Sequence, residues 1–346
     1  MMKKDKRYFS LIILLCAILL CVVILSFYMG RFSKIAPYKI PLILWDQIFP
    51  IQNPSWTTIE EGVVLSLRLP RILGAVMVGA SLAVSGVAFQ MLFANPVASP
   101  DTLGVTSSAS CGAVLAIILG MGSLAIKVLS FGTGCLAVLF VLFFATRLSK
   151  GRNMTIYLIL IGMVVSAMFS AMMSIMKFIA DPTTQLPQIT YWLMGSFSNV
   201  RMKDIPYGIV FFALGMVPLL MLRWRMNLLS LSEYEARSMG ENVSALRITT
   251  IVCATLLTAS SVAMTGGISW VGLVVPHIAR LLVGNDARKL LPVSALMGSA
   301  FLLLMDDLAR SLTAAEIPIS ILTSLVGAPI FFVMLFRNKD RFANEN

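Results

Sequence analysis

Runs of about twenty apolar residues recur along this chain, separated by segments that collect the prolines and charges. The runs do not alternate apolar and polar residues, as barrel strands would. Nor do polar faces recur along them, as they do on helices of soluble domains. An apolar run of that length crosses a hydrocarbon core about 30 Å thick. It crosses as a helix, because in lipid the backbone must satisfy its own polar groups. The pattern predicts ten helices, over approximately residues 9–29, 72–93, 102–120, 124–146, 154–176, 206–223, 245–265, 269–284, 290–309 and 317–336. An even number returns both termini to one face. The expected fold class is all-α: a polytopic membrane protein, one domain over residues 1–346, solvated by membrane lipid.

Composition supports this reading. Only 12% of the residues are charged, against about 25% in soluble domains. The net charge of +11 has no basic stripe with interleaved aromatics behind it, so nucleic acid is not expected as a partner. The basic residues gather instead on one set of connections: before Phe9, at Arg147, Lys150 and Arg152, at Arg223, Arg225, Arg237 and Arg247, at Arg280, Arg288 and Lys289, and after Phe336. The bias of Lys and Arg toward the cytoplasm places those segments, and both termini, inside. The run Phe9–Met29 follows a basic start, but it is longer than a signal-peptide core and lacks a clean small-residue cleavage site. It is read as the first membrane helix.

Three connections are longer than turns. Residues 30–71 are rich in proline, with Trp45 and Trp56 as expected interfacial anchors. Within 177–205, Leu186–Phe197 suits a short helix at the outer interface. The inner segment 224–244 runs from Leu228, Leu229 and Leu231 into Glu233, Glu235 and Arg237; short surface helices or a solvated loop both fit it. An offset of 180 aligns Leu82–Gly86 with Val262–Gly266 and Pro96 with Pro276, a possible trace of two repeated halves.

The chemistry available within the membrane is sparse. Cys16, Cys21, Cys111, Cys135 and Cys253 all lie in apolar runs without a CxxC pair, as packing residues do. His277 is the sole histidine, so a histidine-based metal site is not expected. No buried acid cluster is expected, which argues against ion coupling and against a membrane hydrolase. No GxxxxGK[ST] loop occurs, so ATP, if used, is used by a separate polypeptide.

Four local patterns remain. Arg68-Leu-Pro-Arg71 precedes the second helix, with Pro70 suited to a first turn. Its arginines could form forks for carboxylates or snorkel to the interface, and Arg310 has the same two readings. Asn95-Pro-Val-Ala-Ser-Pro100 is either a plain cap and turn or a constriction at the inner mouth. Gly266–Arg280 mixes Gly and Pro into an apolar span, which favours close helix approach; His277 there is read as a packed polar residue.

Taken together, Arg68-Leu-Pro-Arg71, Val78–Gly86, Asn95–Pro100, Tyr191-Trp-Leu-Met-Gly195, Met226–Gly240, Gly272-Leu-Val-Val-Pro-His277 and Leu325-Val-Gly-Ala-Pro329 resemble, in family order, the FecCD-type permeases of ATP-binding-cassette importers. Those importers carry iron–siderophores, haem and cobalamin. The resemblance implies a bundle like that of the cobalamin permeases and a second permease copy or paralogue. It also implies two ATP-binding subunits that use ATP and Mg, and an extracytoplasmic substrate-binding protein. By the same resemblance, Arg68, Arg71 and Arg310 meet the binding protein. Ser232, Glu233, Glu235, Arg237 and Gly240 dock into the ATPase. Asn95, Pro96, Val97 and, on a weaker match, Thr155 form a cytoplasmic gate. Val97 stands where relatives often carry Leu. No cofactor, metal or catalytic group is implied for this chain, which sits in the cytoplasmic membrane. Iron(III)–siderophore is the first expected cargo, with haem and cobalamin as alternatives; a gradient-driven transporter is the reading from another class.

Overall fold

The computed structural model describes residues 2–30, 35–52, 54–149, 154–231, 233–313 and 315–337. Among them there is no strand. The apolar runs form α1 (Met2–Tyr28), α4 (Leu69–Leu92), α5 (Val105–Ile118), α6 (Ser123–Ser149), α7 (Met154–Ile179), α9 (Ile205–Met226), α11 (Val243–Thr265), α12 (Val271–Val283), α13 (Ala287–Ser311) and α14 (Ile319–Arg337). Short helices α2 (Lys39–Asp46), α3 (Thr58–Gly62), α8 (Gln185–Leu193) and α10 (Glu233–Ser238) lie in the longer connections. All ten expected helices form, but only seven of the described helices are long and apolar enough to cross a membrane by themselves; α5, α12 and α14 are shorter.

The second long helix differs most from its expected start. It begins fourteen residues early, because α3, a π-helical turn over Val63–Arg68 and α4 make one continuous helix, Thr58–Leu92. Thr57 and Glu60 cap it reciprocally, a pairing that satisfies two otherwise orphaned backbone donors. Pro70 then falls inside the helix and not at its start. A proline lacks the N–H for its i−4 bond and its ring clashes with that carbonyl. The helix widens to accommodate it: the Leu69 N–H reaches back five residues to the Val64 carbonyl.

Burial sorts the helices into centre and rim. The most apolar stretch of Thr58–Leu92 is 83% buried, whereas those of α1 and α7 are only 17% buried. The centre is α4, flanked by α13, α11 and α12. Glycine makes this possible. A Cβ on Gly79 would collide with the Gly298 carbonyl of α13, and a Cβ on Gly298 with the Gly79 carbonyl. One heptad along, a Cβ on Gly86 would collide with the Gly272 carbonyl of α12. Small residues let membrane helices approach backbone to backbone, where dispersion replaces the missing hydrophobic drive. The Ser299 hydroxyl, donating to the Val76 carbonyl at 2.8 Å, adds a bond across the α4–α13 contact.

Four buried hydroxyls on α11 are satisfied by the backbone one turn earlier. Thr250, Thr258, Ser261 and Thr265 each donate to the carbonyl four residues earlier. These four enter the core with their donors satisfied, whereas, among the described residues, the buried Thr255 hydroxyl on the same helix has no hydrogen-bond partner. Of the two tryptophans expected at an interface, Trp45 is exposed on α2, but Trp56 is buried. The offset of 180 does not mark repeated halves. Gly86 lies inside α4 while Gly266 caps the end of α11, and Pro96 lies in a turn while Pro276 lies inside α12.

Gly79→Leu should therefore push α4 off α13. We expect loss of the monodisperse protein in detergent size-exclusion chromatography, while Gly132→Ala, where a Cβ meets open space, elutes as wild type.

Candidate functional site

Functional side chains gather at opposite ends of the bundle. At one end, α4 stops at Leu92 and the chain turns through Ala94, a non-glycine residue at φ +46°. Such a conformation costs of order 1 kcal/mol or more and persists only where its surroundings hold it. Here the Asn95 N–H returns to the Gln90 carbonyl at 3.0 Å, and the Val97 N–H donates to Asn95 Oδ1 at 3.0 Å. Ser99 and Thr102 cap the following short helix reciprocally, and Ser166 of α7 donates to the Asp101 carbonyl at 3.0 Å. The turn is therefore fixed in place, with Asn95, Pro96 and Val97 exposed at its tip. Thr155 stands half-buried in the first turn of α7. Among the described residues no hydrogen bond joins it to that tip.

Segment 224–244 lies at the same end and folds as short surface helices. Leu229 and Ala236 are buried and anchor it, while Leu231, Glu235, Met239 and Gly240 are exposed. Gly240 adopts φ +78°, the left-handed conformation that suits glycine. Arg225 and Glu241 close the segment with a paired fork, Nε to Oε2 at 2.8 Å. Asn227 ties it to α13, donating to Asp286 Oδ1 at 3.0 Å and accepting from the Ala287 N–H at 2.8 Å. Arg288 and Asn227 push the Asp286 carboxyl down to about 2. Ser232 and the side chains of Glu233 and Arg237 lie outside the described residues.

Between the turn, this segment and the ends of α12 and α13 is a cavity of about 1120 Å³. Gln90, Asn95, Pro96, His277, Arg280 and Asp286 are among its walls. Arg280 donates to Gln90 Oε1 at 2.8 Å, and Gln90 in turn donates to the Gly272 carbonyl at 3.3 Å.

At the other end, the structure brings Arg68, Arg71 and Arg310 together, each under 10% exposed. Arg71 spans Asp306 through Nε, at 2.9 and 2.8 Å, and Glu316 through Nη1, at 2.8 and 3.0 Å. Arg310 pairs with Asp307 and donates to the Ser26 carbonyl at 2.6 Å. Ser26 donates to Asp307 Oδ1 at 2.7 Å, and Arg68 donates to the Phe27 carbonyl. The arginines are thus neither free forks nor snorkelling chains; they join α1, α4 and α13 at one end of the membrane part. This corrects the expectation that no buried acid cluster occurs: Asp306 and Asp307 are essentially inaccessible. The spacing of Asp306 and Asp307 from Arg310, four and three residues on one helix, was the available signal. Among the described residues no three His, Cys, Asp or Glu side chains converge to hold a metal ion.

The FecCD transport family profile matches residues 11–337. The chain belongs to the FecCD transport family. It is similar to the molybdate import system permease protein MolB of Haemophilus influenzae, 41% identical with 96% of each chain covered. It is also similar to a probable iron chelatin transport system permease protein of Helicobacter pylori, 42% identical over 80% of this chain and 83% of that one. A solved structure described as an inward-facing conformation of a metal-chelate type ABC transporter superposes with a TM-score of 0.83. It is 38% identical, covering 95% of this chain and 99% of that chain. This FecCD protein is thus a permease of the ABC-importer type, a transport component and not an enzyme. Its family works with ATPase and substrate-binding partners.

In a FecCD permease held together by this ion network, removing one member of a buried pair strands the other, at about 3–5 kcal/mol. Asp306→Leu should lower the melting midpoint of the purified permease sharply. Arg71→Met combined with Asp306→Leu should recover a large part of the loss, measured as a double-mutant cycle on that midpoint.

Proposed function

We propose that this permease moves a metal chelate, an iron(III) chelate first, inward across the cytoplasmic membrane by alternating access. The observation that carries the cargo class is the likeness along nearly the whole chain to a structure of the metal-chelate type, joined by an iron chelatin permease among the relatives. Molybdate is the second reading, favoured by the relative that matches from end to end. In both readings the chain binds no cofactor; a second permease copy or paralogue completes the path. Two partner ATPases use ATP and Mg at the cytoplasmic face, where both termini lie.

The mechanism uses the two ends described above. The exposed face of 224–244, with Glu235 and Gly240, suits docking into the ATPase. Its Asn227–Asp286 tie would pass motion of the ATPase into α13, and α13 packs along α4. The exposed tip Asn95–Val97, with Thr155, would form the gate at that mouth. At the far end, the binding protein would meet the surface above Arg68, Arg71 and Arg310, with the half-exposed Glu316 at its edge. The buried carboxylates do not favour a gradient-driven mechanism: Asp306 and Asp307 are each held by an arginine, whereas an ion-coupling acid must exchange its proton or ion.

The test is uptake into proteoliposomes holding the permease, its ATPase and its binding protein. Iron(III) chelates, molybdate, haem and cobalamin are offered in turn. ATP-dependent accumulation of an iron(III) chelate is the expected result; accumulation of another member of the panel alone rejects that cargo. In the same vesicles Glu235→Arg should leave ATP hydrolysis running while uptake falls about tenfold. Fully coupled uptake in that variant would count against docking at this segment.

A further inference from the structure

The connection between α1 and the long central helix presents an apolar face that no described residue covers. Ile40 and Ile43 of α2 are buried in the bundle. On the opposite side Tyr38, Leu42, Trp45 and Phe49 follow one another at helical spacing. Together with Ile48 they are 38–70% exposed. Trp45 and Phe49 stack at 5.1 Å. Gln47 adds an exposed amide but no charge. The two charges of α2 are already engaged: Lys39 pairs with Glu60 at 2.9 Å, and Asp46 accepts the Ile51 N–H at 2.6 Å. A helix apolar on every side is a buried helix, so this face needs a cover.

The height of α2 in the membrane follows from the central helix. Thr58–Leu92 has 35 residues and, at 1.5 Å per residue, is about 52 Å long, whereas the hydrocarbon core is about 30 Å thick. Leu92 leads into the exposed turn at Asn95, so the core ends about twenty residues back along the helix, near Arg71. The π-helical turn over Val63–Arg68 stands just beyond that border, and α2 packs against it. That puts α2 level with the headgroups, where tyrosine and tryptophan concentrate. The face also continues one that lipid already solvates. Leu20, Ile24, Leu25 and Tyr28 are exposed on α1, and the Tyr28 hydroxyl donates to the Pro37 carbonyl at 3.4 Å, next to Tyr38. Interfaces with soluble proteins carry a polar rim; here Lys39 and Asp46 are turned to Glu60 and Ile51 of the same chain.

We propose that α2 is an interfacial helix whose exposed face, Tyr38, Leu42, Trp45, Ile48 and Phe49, sinks into the lipid of the leaflet at the arginine end. Such helices bury their apolar face about 5–10 Å into the headgroup–acyl boundary. The Lys39–Glu60 pair links this anchor to the capped start of the helix that carries Arg68 and Arg71. The leaflet thereby sets the height of that helix. The anchor is independent of the cargo, since it needs only lipid and this chain.

Tryptophan emission of the full-length permease in phosphatidylcholine nanodiscs tests this, with nitroxide-labelled phosphatidylcholines as the probe. The Trp45 component is the difference between wild type and Trp45→Phe. Most of that component should be lost with a nitroxide on the headgroup or high on the acyl chain. It should be spared with a nitroxide near the chain end. Phe49→Trp should add emission with the same pattern, and it decides should Trp45→Phe fail to fold. A component that aqueous iodide quenches and the lipid nitroxides do not overturns the proposal. So does a component shielded from both, which would mean a protein cover such as a second permease. Shielding from iodide that appears only when the binding protein is added would assign the face to that protein and likewise overturn it.

Discussion

The structure depends on how closely α4 can approach its neighbours. In lipid, apolar side chains gain little by leaving their surroundings, so the bundle must be held by contact and by polar bonds between helices. Gly79 against Gly298 and Gly86 against Gly272 supply that contact at two levels of one helix face. Because α4 is fixed between α13 and α12, its two ends are fixed as well. One end presents Arg71 to Asp306, and the other presents Gln90 to Arg280. Both polar assemblies are thus consequences of the same glycine-mediated packing.

Charge is distributed accordingly. Along the middle of the central helices the polar groups are mainly hydroxyls, several of which bond their own backbone, as on α11. Ionised groups stand toward the ends. The arginine end is closed on itself, with three cations and three acids sharing one network across α1, α4, α13 and the connection carrying Glu316. The opposite end is built differently: a pinned turn, an anchored surface segment and a cavity between them. One end resists separation of its helices, while the other offers surfaces and space.

Run length alone made the ten helices legible, because backbone satisfaction in lipid leaves few alternatives. The start at Thr58 was hidden by Pro70, which reads as a helix start until the π turn is seen; the Thr57–Glu60 cap was the contrary local signal. The surface helices of 224–244 were half legible from their apolar-to-charged order. Their tie through Asn227 to Asp286, 59 residues apart, leaves no local trace. The resemblance brought Arg68, Arg71 and Arg310 into view as a set. It could not show that Asp306 and Glu316 of the same chain already hold Arg71, because those pairings span 235 and 245 residues. Gln90 was passed over, being one polar residue in an apolar run.

The central claim is that this FecCD chain is a passive path whose movement is driven by a separate ATPase. The most direct measurement is cargo accumulation in proteoliposomes containing the permease with the binding protein, with and without the ATPase, under ATP and under imposed proton or sodium gradients. Accumulation that requires both ATPase and ATP and ignores the gradients is the predicted result. Accumulation driven by a gradient in the absence of the ATPase would contradict it.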